Sequence, residues 1–152
     1  MATGDSRAVE AVRERTTVPL DVRRAFDLFT DGIGTWWPFQ QFSYSGGRTR
    51  SLHLEPKEGG RFFEGLVDGS ELVDGVVLAV QAPERIVFTY RAPTYPADTE
   101  VEATFSGRGA ETDVEVQHRG WERLGAEARE QRDGHAQGWS YLLGLYRQAA
   151  GG

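Results

Sequence analysis

Apolar and polar residues alternate from residue 48 to residue 118, the period of strands that have one face on a core and the other in water. Turn signals rich in Gly, Pro, Asp and Ser interrupt the alternation every ~8–12 residues, which indicates one antiparallel meander. The pattern predicts strands at 48–55, 61–67, 71–80, 85–91, 99–105 and 112–118, preceded by an imperfect strand at 9–18.

The alternation also assigns one face of most strands to the core. The predicted inner positions are Leu52, Leu54, Phe62, Glu64, Leu66, Ile86, Phe88, Tyr90, Val101, Ala103, Phe105, Val114, Val116 and His118. The intervening positions of the last two strands are polar, which is typical of a sheet with one side in water. The mixed patterns of 9–18 and 71–80 do not define an inner face.

Two other regions have the 3.6-residue period of amphipathic helices. The apolar residues of 22–29 predict a short helix that Pro19 opens. Residues 33–37 predict a second short helix, which Pro38 ends. Both lie between the first strand and the meander.

The chain ends in a long helical pattern, with an apolar and aromatic stripe from His135 to Tyr146 and an irregular, charged start at 122–133. Gly134 and Gly138 interrupt it, and each costs up to ~1 kcal/mol relative to alanine. They therefore predict a close approach, and we interpret Gly138 as permitting contact with the sheet. Because only this helix is long enough to cover the apolar face of the sheet, the fold class is α+β.

Composition narrows the classes of function. A length of 152 residues predicts a single domain over 1–152, with a polar, flexible start at 1–8. The absence of cysteine excludes disulfides and thiolate chemistry. A net charge of −6 without a basic block argues against nucleic acid and anionic membranes as partners. Since the sequence shows neither a signal peptide nor an apolar run of membrane-spanning length, it predicts a cytoplasmic protein.

Six segments in order resemble a known family. They are VPLDVRRAFDLFT (18–30), WWP (36–38), EPKEGGRFFEG (55–65), GVVLAVQAPERIVFTY (75–90), TDVEVQHRGWERLG (112–125) and GHAQGWSYLLGLYRQ (134–148). Together they are similar to the START-like (SRPBCC) superfamily, and within it to the small bacterial relatives of the heat-shock-protein ATPase activator domain. The resemblance implies a helix-grip fold, in which a curved antiparallel sheet of about six to seven strands wraps around a long C-terminal helix, with two short helices after the first strand.

The resemblance also implies an elongated cavity between sheet and helix, where related domains bind hydrophobic small molecules and a few catalyse reactions. The aromatic segment DGIGTWWPFQQFSYSGG lies beside this expected cavity. Adjacent helical residues lie ~100° apart, so Trp36 and Trp37 cannot both face the core squarely. We predict that at least one of them lines the cavity mouth, with Phe39, Phe42 and Tyr44 in an aromatic lid. The alternative is that both rings only seal the core and the sheet edge.

Polar candidates for the cavity are few. A carboxylate at Glu64 on the inner face has a raised pKa unless an arginine or hydroxyl group pairs with it, and Arg50 on the neighbouring strand is a candidate partner. Glu64 is interpreted as a residue of a solvated edge or as a member of a structural ion pair, in preference to a ligand anchor or general acid/base. We interpret His118 as a hydrogen-bonded residue of the core or rim, in preference to a catalyst. The hydroxyl group of Tyr90 is a candidate for a hydrogen bond to a ligand.

The leading hypothesis is that the cavity binds a hydrophobic or amphipathic small molecule. The candidate binding residues are Trp36, Trp37, Phe42, Tyr44, Arg50, Phe62, Glu64, Tyr90, His118 and Trp139. One alternative is a cyclase, dehydratase or hydrolase with Glu64 and His118 as the acid/base pair, and the other is a stress-related protein-interaction domain. The three histidines have no metal-binding spacing, so neither a metal nor a cofactor is expected. The protein is predicted to be a monomer or homodimer, without membrane insertion.

Overall fold

A computed structural model describes residues 9–152, in which seven antiparallel strands form one sheet in the order β1-β7-β6-β5-β4-β3-β2. The strands are β1 (Val12–Val18), β2 (Thr49–Leu54), β3 (Arg61–Leu66), β4 (Glu71–Gln81), β5 (Arg85–Tyr90), β6 (Thr99–Arg108) and β7 (Glu111–Arg119). The helices are α1 (Val22–Phe29), α2 (Ile33–Trp36) and α3 (Ala128–Ala149), with 3₁₀ turns at Gly46–Arg48 and Trp121–Glu127. The predicted α+β helix-grip class is confirmed. The flexible start predicted for 1–8 lies outside the described residues.

The core lies between the inner face of the sheet and α3. Every inner position predicted from the alternation is buried except Tyr90, which is half-buried. From α3 the side chains of Trp139, Leu142, Leu143 and Tyr146 join the same apolar cluster. Burying this shared surface, rather than helix propensity, holds a helix with three internal glycines in place. No helix among residues 9–152 has the length and apolar character needed to cross a bilayer.

Two predicted boundaries are wrong for local reasons. The first helix does not open at Pro19, because the Asp21 side chain accepts a hydrogen bond of 2.9 Å from the backbone N–H of Arg24 and caps a helix that begins at Val22. The loop expected at 106–111 is much shorter. The β6–β7 ladder continues to the last pair, Arg108 with Glu111, and Gly109 at φ +67° allows the tight turn.

A β-bulge in β4 explains why the pattern of 71–80 is mixed. Phe62 pairs with Gly75 and Phe63 pairs with Val73, so Asp74 is the additional residue of the bulge. A Cβ atom on Gly75 would lie 1.7 Å from the carbonyl oxygen of Thr89, so only glycine fits there. The bulge shifts the alternation by one position and brings the Asp74 side chain to the inner face.

Candidate functional site

A cavity of about 300 Å³ lies between the inner face of the sheet and α3. Its walls are Trp37, Phe42, Tyr44, Leu52, Phe62, Phe88, Tyr90, Val101, Trp139 and Leu142, and its polar lining is Ser43, Glu64, Asp74, His118, Gln131 and His135. The volume lies at the lower end of the ~300–1,000 Å³ common for ligand pockets. Such a volume suits a small molecule.

The glycines of α3 leave this space open. Gly134 and Gly138 both line the cavity, and a Cβ atom added to either would meet no atom within 4 Å. The interpretation that Gly138 permits close contact with the sheet is therefore wrong. The two glycines lie four residues apart on one helical face, where they create room instead of contact.

The two adjacent tryptophans divide between core and cavity. Trp36 is buried, donates its indole N–H to the carbonyl of Leu28 at 2.9 Å and does not line the cavity. Trp37 lines the cavity, with its ring centroid 5.6 Å from that of Trp139. Trp37 therefore lies at the cavity, as predicted for at least one of the two residues. Trp36 was also a candidate binding residue, but it lies in the core.

Side-chain contacts hold the aromatic segment that follows α2 (residues 37–44) over the cavity. The indole N–H of Trp37 donates to the carbonyl of Phe42 at 2.8 Å. The ring of Phe42 lies 5.4 Å from that of Tyr141 on α3, centroid to centroid. Phe42 and Tyr44 line the cavity while remaining 39% and 52% exposed, so both rings lie at its mouth. Phe39, the third residue of the predicted lid, packs against the core and does not line the cavity.

Glu64 ties this segment to the floor of the cavity. Its Oε1 accepts hydrogen bonds from the backbone N–H of Ser45 at 3.1 Å and the hydroxyl of Thr49 at 3.0 Å. Arg50 is exposed and does not reach the cavity, so its predicted pairing with Glu64 is wrong. An irregular register between Thr49 and Ser51 turns Thr49 inward and Arg50 outward.

A second carboxyl group lies beside Glu64. Asp74 is only 4% exposed, and burial raises its pKa to about 9, with the hydrogen bond to Glu64 and the negative charge of Glu64 adding to the rise. Burial also acts to raise the pKa of Glu64, but hydrogen bonds from Asp74, Ser45 and Thr49 outweigh it and hold that pKa below its usual value. At neutral pH the pair therefore carries one proton, on Asp74, and one negative charge.

His118 is locked in a hydrogen-bonded chain. Its Nδ1 accepts from the indole N–H of Trp139 at 3.0 Å, so the ring proton lies on Nε2, which is 2.7 Å from the hydroxyl oxygen of Thr99. That hydroxyl donates to the carbonyl of Tyr90 at 2.7 Å. Burial and the neighbouring His135 hold the pKa of His118 well below its usual value. Both ring nitrogens are occupied, which agrees with a core histidine and not with an acid/base partner of Glu64.

Four polar residues of the cavity, Ser43, Asp74, Gln131 and His135, were not among the candidates taken from the sequence. Asp74 is placed by the bulge, and a glycine inside a strand pattern was the signal that could have located it. Gln131 and His135 lie on α3, where the hydroxyl of Tyr95 donates to Gln131 at 3.0 Å and lies 2.9 Å from Nε2 of His135. Residues 9–152 contain no group of three or more histidine and acidic residues that could hold a metal ion.

Comparison with known proteins identifies relatives of this chain. The profile of the family described as Activator of Hsp90 ATPase homolog 1-like protein matches residues 19–147. None of the curated proteins matches the chain. Among solved structures, CalC from Micromonospora echinospora, a self-sacrificing resistance protein, is 27% identical, with a TM-score of 0.70 over 93% of this chain and 94% of CalC.

Two further structures extend the comparison. The anthrahydroquino-γ-pyrone synthase Txn09, solved in complex with SUM, is 31% identical, with a TM-score of 0.56 over 79% of this chain and 84% of Txn09. A protein from Mesorhizobium loti has a TM-score of 0.64 at 18% identity, over 91% of this chain and 94% of its own, and shows the fold alone.

Proposed function

Because the chain belongs to the Activator of Hsp90 ATPase homolog 1-like family of the START-like superfamily, we propose that its cavity binds a small, flat, hydrophobic molecule. The family and its structural neighbours support a ligand-binding domain in general. We place the binding site in the space between the sheet and α3.

The cavity walls carry this proposal. Aromatic rings from the segment after α2, from β3 and β5, and from α3 surround a space that the two helix glycines keep open. A helix that served only as a lid on the core would gain stability from alanine at both positions. A ligand that occupies the space would explain glycine at both positions.

A substitution at Gly138 tests the site without disturbing the sheet. We expect Gly138→Phe to fold with unchanged or higher stability, since the new side chain extends into open space, and to lose binding by at least ~10-fold. Binding is measured with N-phenyl-1-naphthylamine, whose emission rises in apolar surroundings, and by native mass spectrometry of compounds that co-purify with the protein.

The matched control is Gly144→Phe, on the same helix at an exposed position where a Cβ atom also meets nothing within 4 Å. This variant should bind the probe as the wild type does. Equal binding by the wild type and both variants would place the ligand elsewhere and overturn the proposed site.

Catalysis is the second candidate, because a proton-bearing carboxyl group in a cavity is a typical general acid, and the similar protein Txn09 is a synthase. The acid/base pair is then Asp74 and Glu64 instead of Glu64 and His118. A compound that co-purifies can be isolated and then incubated with fresh protein. A change in its mass supports turnover, whereas an unchanged mass supports binding without reaction.

A further inference from the structure

The charge of the cavity is unbalanced. Among residues 9–152, its lining contains two carboxyl groups, Glu64 and Asp74, and no lysine or arginine. Arg91, which follows β5, directs its guanidinium to the carbonyls of Tyr95 and Pro96 in the next loop. Its backbone N–H, and not its side chain, contacts Asp74, through the Asp74 carbonyl at 2.8 Å.

The other titratable groups that face the pair supply no positive charge. They are Tyr44 from the segment after α2, Tyr90 from β5, His118 from β7 and His135 from α3. Burial lowers the pKa of His135 to about 4 and holds that of His118 well below its usual value, so both rings are neutral at physiological pH. Burial raises the pKa of Tyr90.

The carboxyl pair also has unused hydrogen-bonding capacity. Glu64 and Asp74 are 1% and 4% exposed, and Glu64 Oε2 and Asp74 Oδ1 have no partner among residues 9–152 beyond the proton that the two groups can share. One shared proton leaves the remaining lone pairs as acceptors only. The pair thus offers a ligand negative charge and acceptor atoms.

From this geometry we propose that the ligand is a cation, a protonated amine carried on a flat aromatic or alicyclic body, whose ammonium group meets Asp74 and Glu64. The inference rests on the proposed function and specifies the ligand class of the same cavity. The rings of Trp37, Phe62, Tyr90 and Trp139 surround the site, and aromatic faces attract cations. Carboxylates such as fatty acids are excluded, because they would place a second unpaired charge beside the first.

A series of probes of one shape tests the charge preference. At pH 7 we expect 2-naphthylmethylammonium to bind at least ~10-fold more tightly than neutral 2-methylnaphthalene, and 2-naphthoate to bind at least ~10-fold more weakly than the neutral probe. Affinities are measured by isothermal titration calorimetry or by quenching of tryptophan fluorescence.

Isosteric variants separate charge from shape. Glu64→Gln removes the negative charge of Glu64, while burial, the first cause of the raised pKa of Asp74, still keeps Asp74 protonated. Asp74→Asn leaves that charge on Glu64. Asp74→Asn should therefore keep the ammonium preference, whereas Glu64→Gln and the double variant Glu64→Gln/Asp74→Asn should lose it and bind the ammonium and neutral probes equally. A merely structural role for the pair would not produce this pattern.

The outcomes are distinct. If none of the probes binds, the proposed function fails together with the inference. If 2-methylnaphthalene binds and the ammonium probe gains nothing, or if 2-naphthoate binds best, the cavity stands and the inference is wrong. A preference for the ammonium probe that survives in the double variant would also overturn it.

Discussion

Gly75→Ala should abolish stable folding. The methyl group would lie 1.7 Å from the carbonyl oxygen of Thr89 on β5, a collision between two backbones that no side-chain movement relieves. The hydroxyl of Thr89 also accepts the N–H of Val76 at 2.9 Å, so the two strands cannot separate without losing the bonds of the bulge. We expect a loss of more than ~3 kcal/mol in the free energy of unfolding, measured by urea denaturation followed by circular dichroism.

The control for this prediction is Gly144→Ala. It exchanges the same residues at an exposed helical position with open space around the Cβ atom, and should stabilise the protein by about 0.5–1 kcal/mol. Since Asp74 depends on the bulge for its position, a Gly75→Ala protein with a stability within ~1 kcal/mol of wild type would show that the bulge is not as described.

The carboxyl pair should make stability fall as pH rises from 7 to 8.5. Burial raises the pKa of Asp74 to about 9 in the folded protein, whereas an unfolded aspartic acid titrates near ~3.9. In this window the folded state holds a proton that the unfolded state lacks, so raising the pH favours unfolding, with a slope of up to about 1.4 kcal/mol per pH unit. Chemical denaturation at half-unit steps of pH measures the slope.

The buried histidines act in the opposite direction at lower pH. Burial lowers the pKa of His135 to about 4 and that of His118 well below its usual value, so the unfolded chain binds protons near ~6.5 that the folded protein refuses. Stability therefore rises between about pH 4 and 6.5, against the Asp74 contribution, and the maximum lies near neutrality.

Asp74→Asn isolates the contribution of the carboxyl group. Asparagine has the shape of the protonated aspartic acid and donates a hydrogen bond to Glu64 without titrating. The decline above pH 7 should vanish in this variant, while the rise below pH 6.5 remains. Identical profiles for the variant and the wild type above pH 7 would mean that Asp74 is ionised in the folded protein.

Periodicity predicted most of the sheet because its strands pair regularly. Along β6 and β7 each inner residue alternates with a polar outer one, as the sequence pattern indicates. The burial of Phe62, Glu64 and Leu66 follows from the same rule, since each lies two positions from the next. The length of the C-terminal helical pattern already placed α3 over the apolar face of the sheet, and the family resemblance added the cavity between them.

The polar half of the site could not be predicted, because it depends on where the pairing is irregular. Between Thr49 and Ser51 and at Asp74 the register shifts, and each shift exchanges inner for outer positions. Strict alternation therefore placed Arg50 at the site and overlooked Asp74. Glycine is ambiguous for a related reason, since Gly75 avoids a collision whereas Gly138 leaves a void, and the sequence records the same residue for both.

The two hydrogen bonds from Ser45 and Thr49 to Glu64 have a kinetic consequence. They join residues at the mouth of the cavity to the carboxylate of Glu64 at its floor. Binding of a ligand at Glu64 and opening of the mouth are therefore coupled. A ligand that interacts with the negative charge of Glu64 would weaken the hydrogen bonds that hold the aromatic segment over the cavity. Release of this segment would then speed dissociation of the ligand. On the proposed function, a ligand that competes with Ser45 and Thr49 for Oε1 of Glu64 should dissociate faster than one of equal affinity that leaves both bonds in place.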